Sequence, residues 1–291
     1  MFFLIISCLL YAVNNFVWKK VLSVSNSWLL IISRSFLTSV IGVFICFFFF
    51  SEVLVELQLK AFGYVVAASF FGALGLLFMV LALKKGSLFQ LGIFNLLIVF
   101  LTATYLFIFE DIDLENFSLA VILIGTGFMC YCFHIQKSNT VEVSKKQLLL
   151  FFGMALFFAA SCLLHWYNLK QSFPVIVAVT VQELMVFILV GLLLLLKQDL
   201  LPKTIGIQLK SLAPFVLLMA IIIFISLWTG FIGLESTNPL ISQLISLITP
   251  IFTILLGVFF NKDKYSPLAL VASIFIISGV FLLNFRGLIF F

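Results

Sequence analysis

The chain has 291 residues, 64% of them hydrophobic and 9% charged, with 38 phenylalanines, a net charge of +5 and a mean hydropathy of +1.33. A soluble domain is roughly half apolar and a quarter charged, and no soluble core of this length absorbs so much apolar surface. A soluble enzyme and a disordered chain are excluded. The basic residues lie scattered between apolar runs, so they mark membrane-flanking loops and not a nucleic-acid footprint.

A helix crosses the bilayer core with about 20 apolar residues. Ten runs qualify: 2–22, 27–50, 61–83, 87–109, 116–136, 147–169, 173–196, 211–233, 239–260 and 267–289. They are continuously apolar rather than alternating, which predicts helices and not a barrel. The first run lacks a basic leader and a small-residue cleavage site, so it reads as a retained membrane helix. Arg34 falls inside the second run and Glu183 near the middle of the seventh. The fifth run carries Cys130, Cys132 and His134 in C-x-C-x-H spacing. On a helix Cys132 points away from the other two, a poor metal site. All five cysteines sit in apolar runs and read as packing residues. No metal or cofactor is implied.

The polar stretch 137–146 divides the chain into a first five-helix unit, 1–136, a linker, 137–146, and a second unit, 147–291. The units look related. At a shift of 152 residues Leu88 meets Leu240, Phe100 meets Phe252, Asp111 meets Asp263, Ala120 meets Ala272 and Gly127 meets Gly279. An odd number of helices per unit makes the second copy enter the membrane from the opposite side. The expectation is an all-α membrane protein of ten transmembrane helices in two inverted five-helix repeats, the layout that many secondary transporters use for alternating access.

Orientation follows the Lys/Arg bias. The connections after odd-numbered runs hold Lys19, Lys20, Lys84, Lys85, Lys137, Lys145, Lys146, Lys197, Lys203, Lys210, Lys262 and Lys264, against Lys60, Lys170 and Arg286 on the other side. By this bias both termini face away from the cytoplasm.

Three stretches resemble the EamA-type proteins of the drug/metabolite transporter superfamily. They are Leu10–Lys20 (LYAVNNFVWKK), Ser33-Arg34-Ser35-Phe36, and the segment from Ala82 (ALKKGS) through an acidic turn to IGTG at Gly127. The second half echoes the last from Leu240 through Pro250 to Ser278-Gly279. The mid-helix proline is replaced by Ile98 in the first half, and Lys262-Asp263 stand where the family usually has Glu. Family members are usually drawn with cytoplasmic termini, against the charge bias. The resemblance implies a carrier of small metabolites or drugs, often an exporter, with a cavity between the halves. It also suggests a bacterial cytoplasmic (inner) membrane.

Ionisable groups inside a membrane are functional suspects. Glu183 is too deep to snorkel, so it must be protonated, paired or facing a wet cavity. A carboxyl that trades its proton there is what a proton-coupled carrier needs. Arg34 lies about 10 Å inside its helix and meets Glu183 at a shift of 149 residues. It either pairs with that carboxylate, grips a substrate carboxylate or snorkels. Asn14 and Trp18, four apart, offer an amide and an aromatic platform for an amino-acid-like ligand, or interhelical packing. Ser242, Ser246, Thr249 and Thr253 form one stripe. Pro250 beside it removes a backbone donor and marks a hinge; close helix packing is the other reading of the stripe. His165, near the end of run six, is a further titratable group.

No H-E-x-x-H, Walker loop or G-x-S-x-G occurs. The expected function is a permease, exporting small metabolites, amino-acid-like compounds or drugs by alternating access with proton coupling. The expected assembly is a monomer or homodimer in the bilayer, with a small-molecule substrate as partner. The competing reading is a non-transporting membrane scaffold, in which Arg34 and Glu183 lock together.

Overall fold

A computed structural model describes residues 1–22, 26–52, 59–83, 88–110, 118–138, 144–197, 200, 205–261 and 267–289. Every regular element there is a helix. They are α1 (Phe2–Leu22), α2 (Ser27–Phe49), α3 (Leu59–Leu83), α4 (Leu88–Phe109), α5 (Ser118–Ser138), α6 (Lys145–Lys170), α7 (Val175–Leu196), α8 (Ile205–Glu235), α9 (Pro239–Ser246), α10 (Thr249–Asn261) and α11 (Pro267–Ile289). Six stretches are long and apolar enough to cross a membrane: Ser27–Phe49, Ala61–Ala82, Lys145–Lys170, Val175–Leu196, Leu212–Glu235 and Pro239–Gly257. Shorter apolar helices cover Phe2–Trp18, Phe94–Phe109, Ser118–Phe133 and Leu270–Leu282.

The ends follow local chemistry. The Asn26 side chain accepts from the backbone N–H groups of Trp28 and Leu29 and starts α2. Ser144 and Gln147 form a capping box at α6. Asn238 caps α9 ahead of Pro239. Two departures from the sequence reading appear. First, α8 begins at Ile205 and carries Pro214 inside it, where the polar stretch up to residue 210 reads as a loop. Second, the ninth run is two helices, broken at Leu247-Ile248. Pro250 cannot donate a backbone hydrogen bond, and the turn before it closes through Leu247 N–H to Leu244 O (3.2 Å) and Ile248 N–H to Ile245 O (3.0 Å).

The exterior is apolar, unlike that of a soluble protein, and several hydroxyl side chains lie inside. Phe47, Phe48 and Phe49 are 66%, 70% and 72% exposed, whereas Ser35, Thr38, Ser69, Thr102 and Ser226 are fully buried. Where helices gain nothing by hiding apolar surface from lipid, small and hydroxyl side chains bring backbones close instead. The hydroxyls of Ser33, Ser35, Thr38 and Ser39 each donate to the carbonyl four residues earlier, which satisfies them inside α2.

The helix contacts are reciprocal between the halves. In α5 and α11, a Cβ on Gly127 would lie 2.9 Å from Ala272 O, and one on Gly279 would lie 3.0 Å from Ala120 O. Later residues of α5 thus meet earlier residues of α11, so the two run antiparallel. Elsewhere a Cβ on Gly72 of α3 would lie 2.8 Å from Ser161 Oγ of α6, and one on Gly230 of α8 would lie 2.9 Å from Ser7 Oγ of α1. Three residues on, Gly75 meets Phe158 and Gly233 meets Leu4. Between α2 and α7 and the residues flanking them, Asn26 donates to Leu200 O, the Phe36 and Phe187 rings meet at a tilt and Gly42 lies against Thr180, again antiparallel.

The repeat pair Asp111/Asp263, the acidic turn after Glu110, Lys84, Lys85, Lys203, Lys262 and Lys264 lie outside the described residues. So do the side chains of Lys19, Lys20, Lys60, His134, Lys137 and Arg286.

Candidate functional site

Arg34 of α2 and Glu183 of α7 come together where these helices cross. Arg34 Nη2 lies 3.0 Å from Glu183 Oε2, and it donates to Oε1 at 3.4 Å. The side chains are only 7% and 5% exposed, so water cannot solvate either charge. Each is the other's counter-charge, which makes the buried site neutral overall. Arg34 Nε has no hydrogen-bond partner among the described residues and remains an unused buried donor. Tyr11 of α1, half-buried, lies close enough to feel both charges. It is a site residue that the sequence did not single out.

One residue before Glu183, Gln182 reaches α6, where His165 Nε2 and Gln182 Oε1 are 3.0 Å apart. His165 is 2% exposed and packs on the Phe231 ring at 4.6 Å. It therefore lies in the interior, five residues before the end of α6, and not at a wet interface. The Gln182 amide lies over Gly72, whose missing side chain makes room for it.

Asn14 is buried, and its Oδ1 has no hydrogen-bond partner among the described residues. Trp18, four residues on and half-buried, packs against the apolar clusters around Trp28, Val186, Leu30 and Met219. The apolar side formed by Leu240 and Leu244 of α9 and by Ile248 in the break after it packs with Val99, Leu106, Ile124 and Ile276 from α4, α5 and α11. Ser242 (half-buried) and Ser246 (exposed) lie on the other side, away from that cluster. Ser246 donates to Gln243 O at 2.6 Å, and Thr253 of α10 to Thr249 O at 3.0 Å. Cys8 of α1 donates to Ile245 O at 3.5 Å, which ties α1 to the last turn before the break at Pro250.

A second polar group closes one end of the bundle. Tyr167 of α6 donates to Glu110 Oε1 at the end of α4, and the Tyr105 and Tyr167 hydroxyls are 3.3 Å apart. Next to them Trp166 Nε1 donates to Thr237 O, between α8 and α9, at 3.1 Å. Lys170 Nζ sits 4.0 Å from the Trp166 ring centroid. No sequence motif announced this group. Its hydrogen-bonded partners are 57 to 71 residues apart, and only the fold joins them.

An apolar exterior, membrane-length helices and a buried ion pair between helices of the two halves define an integral membrane protein of the polytopic helical class. Within that class, residues 145–285 match the model of the EamA-like transporter family, part of the drug/metabolite transporter superfamily. The matched stretch covers just under half of the chain, and members of that family are transporters and not enzymes. A solved structure described only as "Crystal structure of protein" is similar across almost the whole length. It has a TM-score of 0.79 and 15% identity over 98% of this chain and 96% of that one. That likeness concerns the fold. No curated protein matches the chain.

Proposed function

We propose that the protein is a secondary transporter, a permease for small metabolites, amino-acid-like compounds or drugs. It works by alternating access between two inverted five-helix repeats in a bacterial cytoplasmic membrane. The observation that carries the reading is the Arg34–Glu183 pair, buried between α2 and α7, which are the second helices of the two halves. Antiparallel contact between corresponding helices (α2 with α7, α5 with α11) supports opposite orientation of the halves. An EamA match to residues 145–285 supports transport as the activity.

Substrate enters between the halves near mid-depth. Arg34 and Glu183 are the charges it meets, Tyr11 adjoins them, and Asn14 offers a buried amide on the same helix as Tyr11. Ser242, Ser246 and Thr249 line the approach, and the break before Pro250 lets α9 and α10 move separately. Trp18 supports the pair's surroundings through its packing. Glu183 is the proton-coupling group: it gives up Arg34 when it takes a proton. The protein needs no metal or nucleotide for this cycle.

The test is a ligand screen on purified protein by thermal shift, since a ligand that binds the native state raises the apparent stability. Uptake of the hit into proteoliposomes follows. Uptake driven by a pH gradient and made pH-independent by Glu183→Gln is the expected result. Uptake whose pH dependence survives Glu183→Gln removes the coupling role, and binding without uptake removes transport.

One observation also fits a second reading. In a non-transporting scaffold the Arg34–Glu183 pair is a permanent lock with no wet crevice beside it. A cysteine at Asn14 that reacts with a water-soluble maleimide from neither side of the membrane, with or without ligand, supports the scaffold.

A further inference from the structure

We propose that Tyr105, Tyr167 and Glu110 form a latch that shuts one end of the seam between the halves. The pathway of the transporter reading is then closed in this structure at the end where α4 and α6 finish. The inference rests on that reading and adds a gate with a side.

Three observations carry it. First, the group joins helices at a single end of the bundle. Glu110 closes α4, Tyr167 lies three residues before the end of α6, and neighbouring Trp166 holds the α8–α9 connection through Thr237 O. Three separate chain segments are thus clasped side by side at one level.

Second, the group is half-buried and aromatic, at the rim of the apolar cluster that contains Leu106, Leu169, Leu234 and Leu240. A carboxylate oxygen, two phenol hydroxyls and an indole N–H bond to protein groups there, so the end is held by directional bonds rather than by packing alone.

Third, the described counterparts of the two tyrosines carry no hydroxyl. Ser7 and Ser161 sit against corresponding glycines, as do Leu4 and Phe158, which sets α1 against α6 at a shift of 154 residues. On that register Tyr167 corresponds to Val13. On the 152-residue register of the fourth and ninth runs Tyr105 corresponds to Gly257. Val13 has no hydrogen-bonding side-chain group and Gly257 has no side chain, while Lys262, which stands opposite Glu110 at that shift, lies outside the described residues. Where α1 and α10 meet there is a ring contact between Phe16 and Phe260, with centroids 5.8 Å apart. One end of the seam is bolted, and the described contact at the other is between rings. In an alternating cycle the bolted end opens when Tyr167 leaves Glu110, while the apolar end closes by packing.

The test uses the full chain in proteoliposomes with a cysteine at Ser246, the exposed position beside the seam, read against the protein without it. A membrane-impermeant maleimide is applied from each side. The parent is expected to react from the side opposite the latch. Tyr167→Phe, which keeps the ring and loses the hydroxyl, is expected to raise labelling from the latch side by about tenfold, the effect of losing a hydrogen bond to a carboxylate. Glu110→Gln keeps an acceptor oxygen and should stay within about threefold of the parent. Tyr105→Phe, which removes the second hydroxyl, serves if Tyr167→Phe does not fold. Equal latch-side labelling in parent and hydroxyl-deleted variants overturns the latch and leaves the transporter reading standing. So does Glu110→Gln opening the end as far as Tyr167→Phe. A Ser246 cysteine unreactive from either side in every variant overturns the crevice, and the latch with it.

Discussion

Replacing one partner of the Arg34–Glu183 pair leaves the other charge buried with nothing to neutralise it. With charge centres about 4 Å apart and an effective dielectric of about 20, the attraction is about 4 kcal/mol. Loss of one partner of a buried pair costs about 3–5 kcal/mol in soluble proteins. Arg34→Met and Glu183→Leu should therefore each destabilise by about that much, lowering the thermal midpoint in detergent by about 6–15 °C at about 2–3 °C per kcal/mol. Glu183→Gln keeps an acceptor for Arg34 Nη2 and should lose about 1–2 kcal/mol. The double variant Arg34→Met/Glu183→Leu removes both charges together and should return to within about 2 kcal/mol of the parent. The charge swap Arg34→Glu/Glu183→Arg should recover most of the loss as well. The two residues are counterparts at the 149-residue shift and face each other, so exchanging them approximates a rotation of the site. The assay is fluorescence-monitored unfolding of the parent and the five variants, evaluated as a double-mutant cycle. If the double variant loses the sum of the single losses, the pair contributes no coupling and the electrostatic account of the seam fails.

Gly127→Ala and Gly279→Ala each place a methyl against a carbonyl of the facing helix, 2.9 Å from Ala272 O and 3.0 Å from Ala120 O. Overpacking of about 1–3 kcal/mol outweighs about 1 kcal/mol of gained helix propensity. The two thermal shifts should be alike, and the double variant should lose less than their sum, because one spreading of α5 from α11 relieves both contacts. Pro250→Ala restores a backbone donor just after the Leu247-Ile248 break and should stiffen the α9–α10 junction. Slower maleimide labelling of the Ser246 cysteine, without loss of thermal stability, is the expected outcome; an unchanged rate rejects the hinge.

Much of this architecture was legible because lipid allows so few solutions. Ten apolar runs predict ten helical stretches, and the limits 2–22 and 267–289 agree with α1 and α11. Arg34 and Glu183 stand out because ionisable groups at such depth need partners, and the shift of 149 residues already set them opposite each other. Other features were hidden for identifiable reasons. Connections of unequal length change the register from helix to helix, so one fixed shift of 152 residues finds Gly127 and Gly279. It passes over Gly72-x-x-Gly75 and Gly230-x-x-Gly233, which are 158 apart. Trp18 shares a helical face with Asn14, but its ring volume is taken up by packing with α2, α7 and α8, which periodicity along α1 cannot reveal. Nor does Pro214 announce a helix that begins at Ile205, since a proline near a helix start reads first as a boundary.

The reciprocal packing separates contacts that persist through a transport cycle from contacts that alternate. If the halves exchange conformations, a contact between corresponding positions maps onto itself and survives in both states. Arg34 with Glu183 is such a contact, and so is the glycine crossing of α5 and α11. A contact between non-corresponding helices is instead traded for its counterpart at the other end. The bond of Tyr167 to Glu110 joins the sixth run to the fourth, and its counterpart joins α1 to α10. The ion pair should then act as a pivot and set how stable the protein is, while the latch sets which end is open. Arg34→Met/Glu183→Leu should leave the ratio of labelling from the two sides unchanged at the Ser246 cysteine, even where its melting temperature moves, and Tyr167→Phe should change that ratio with little effect on melting. A double variant that shifts the labelling ratio as strongly as Tyr167→Phe would place the charges in the gate and remove the pivot.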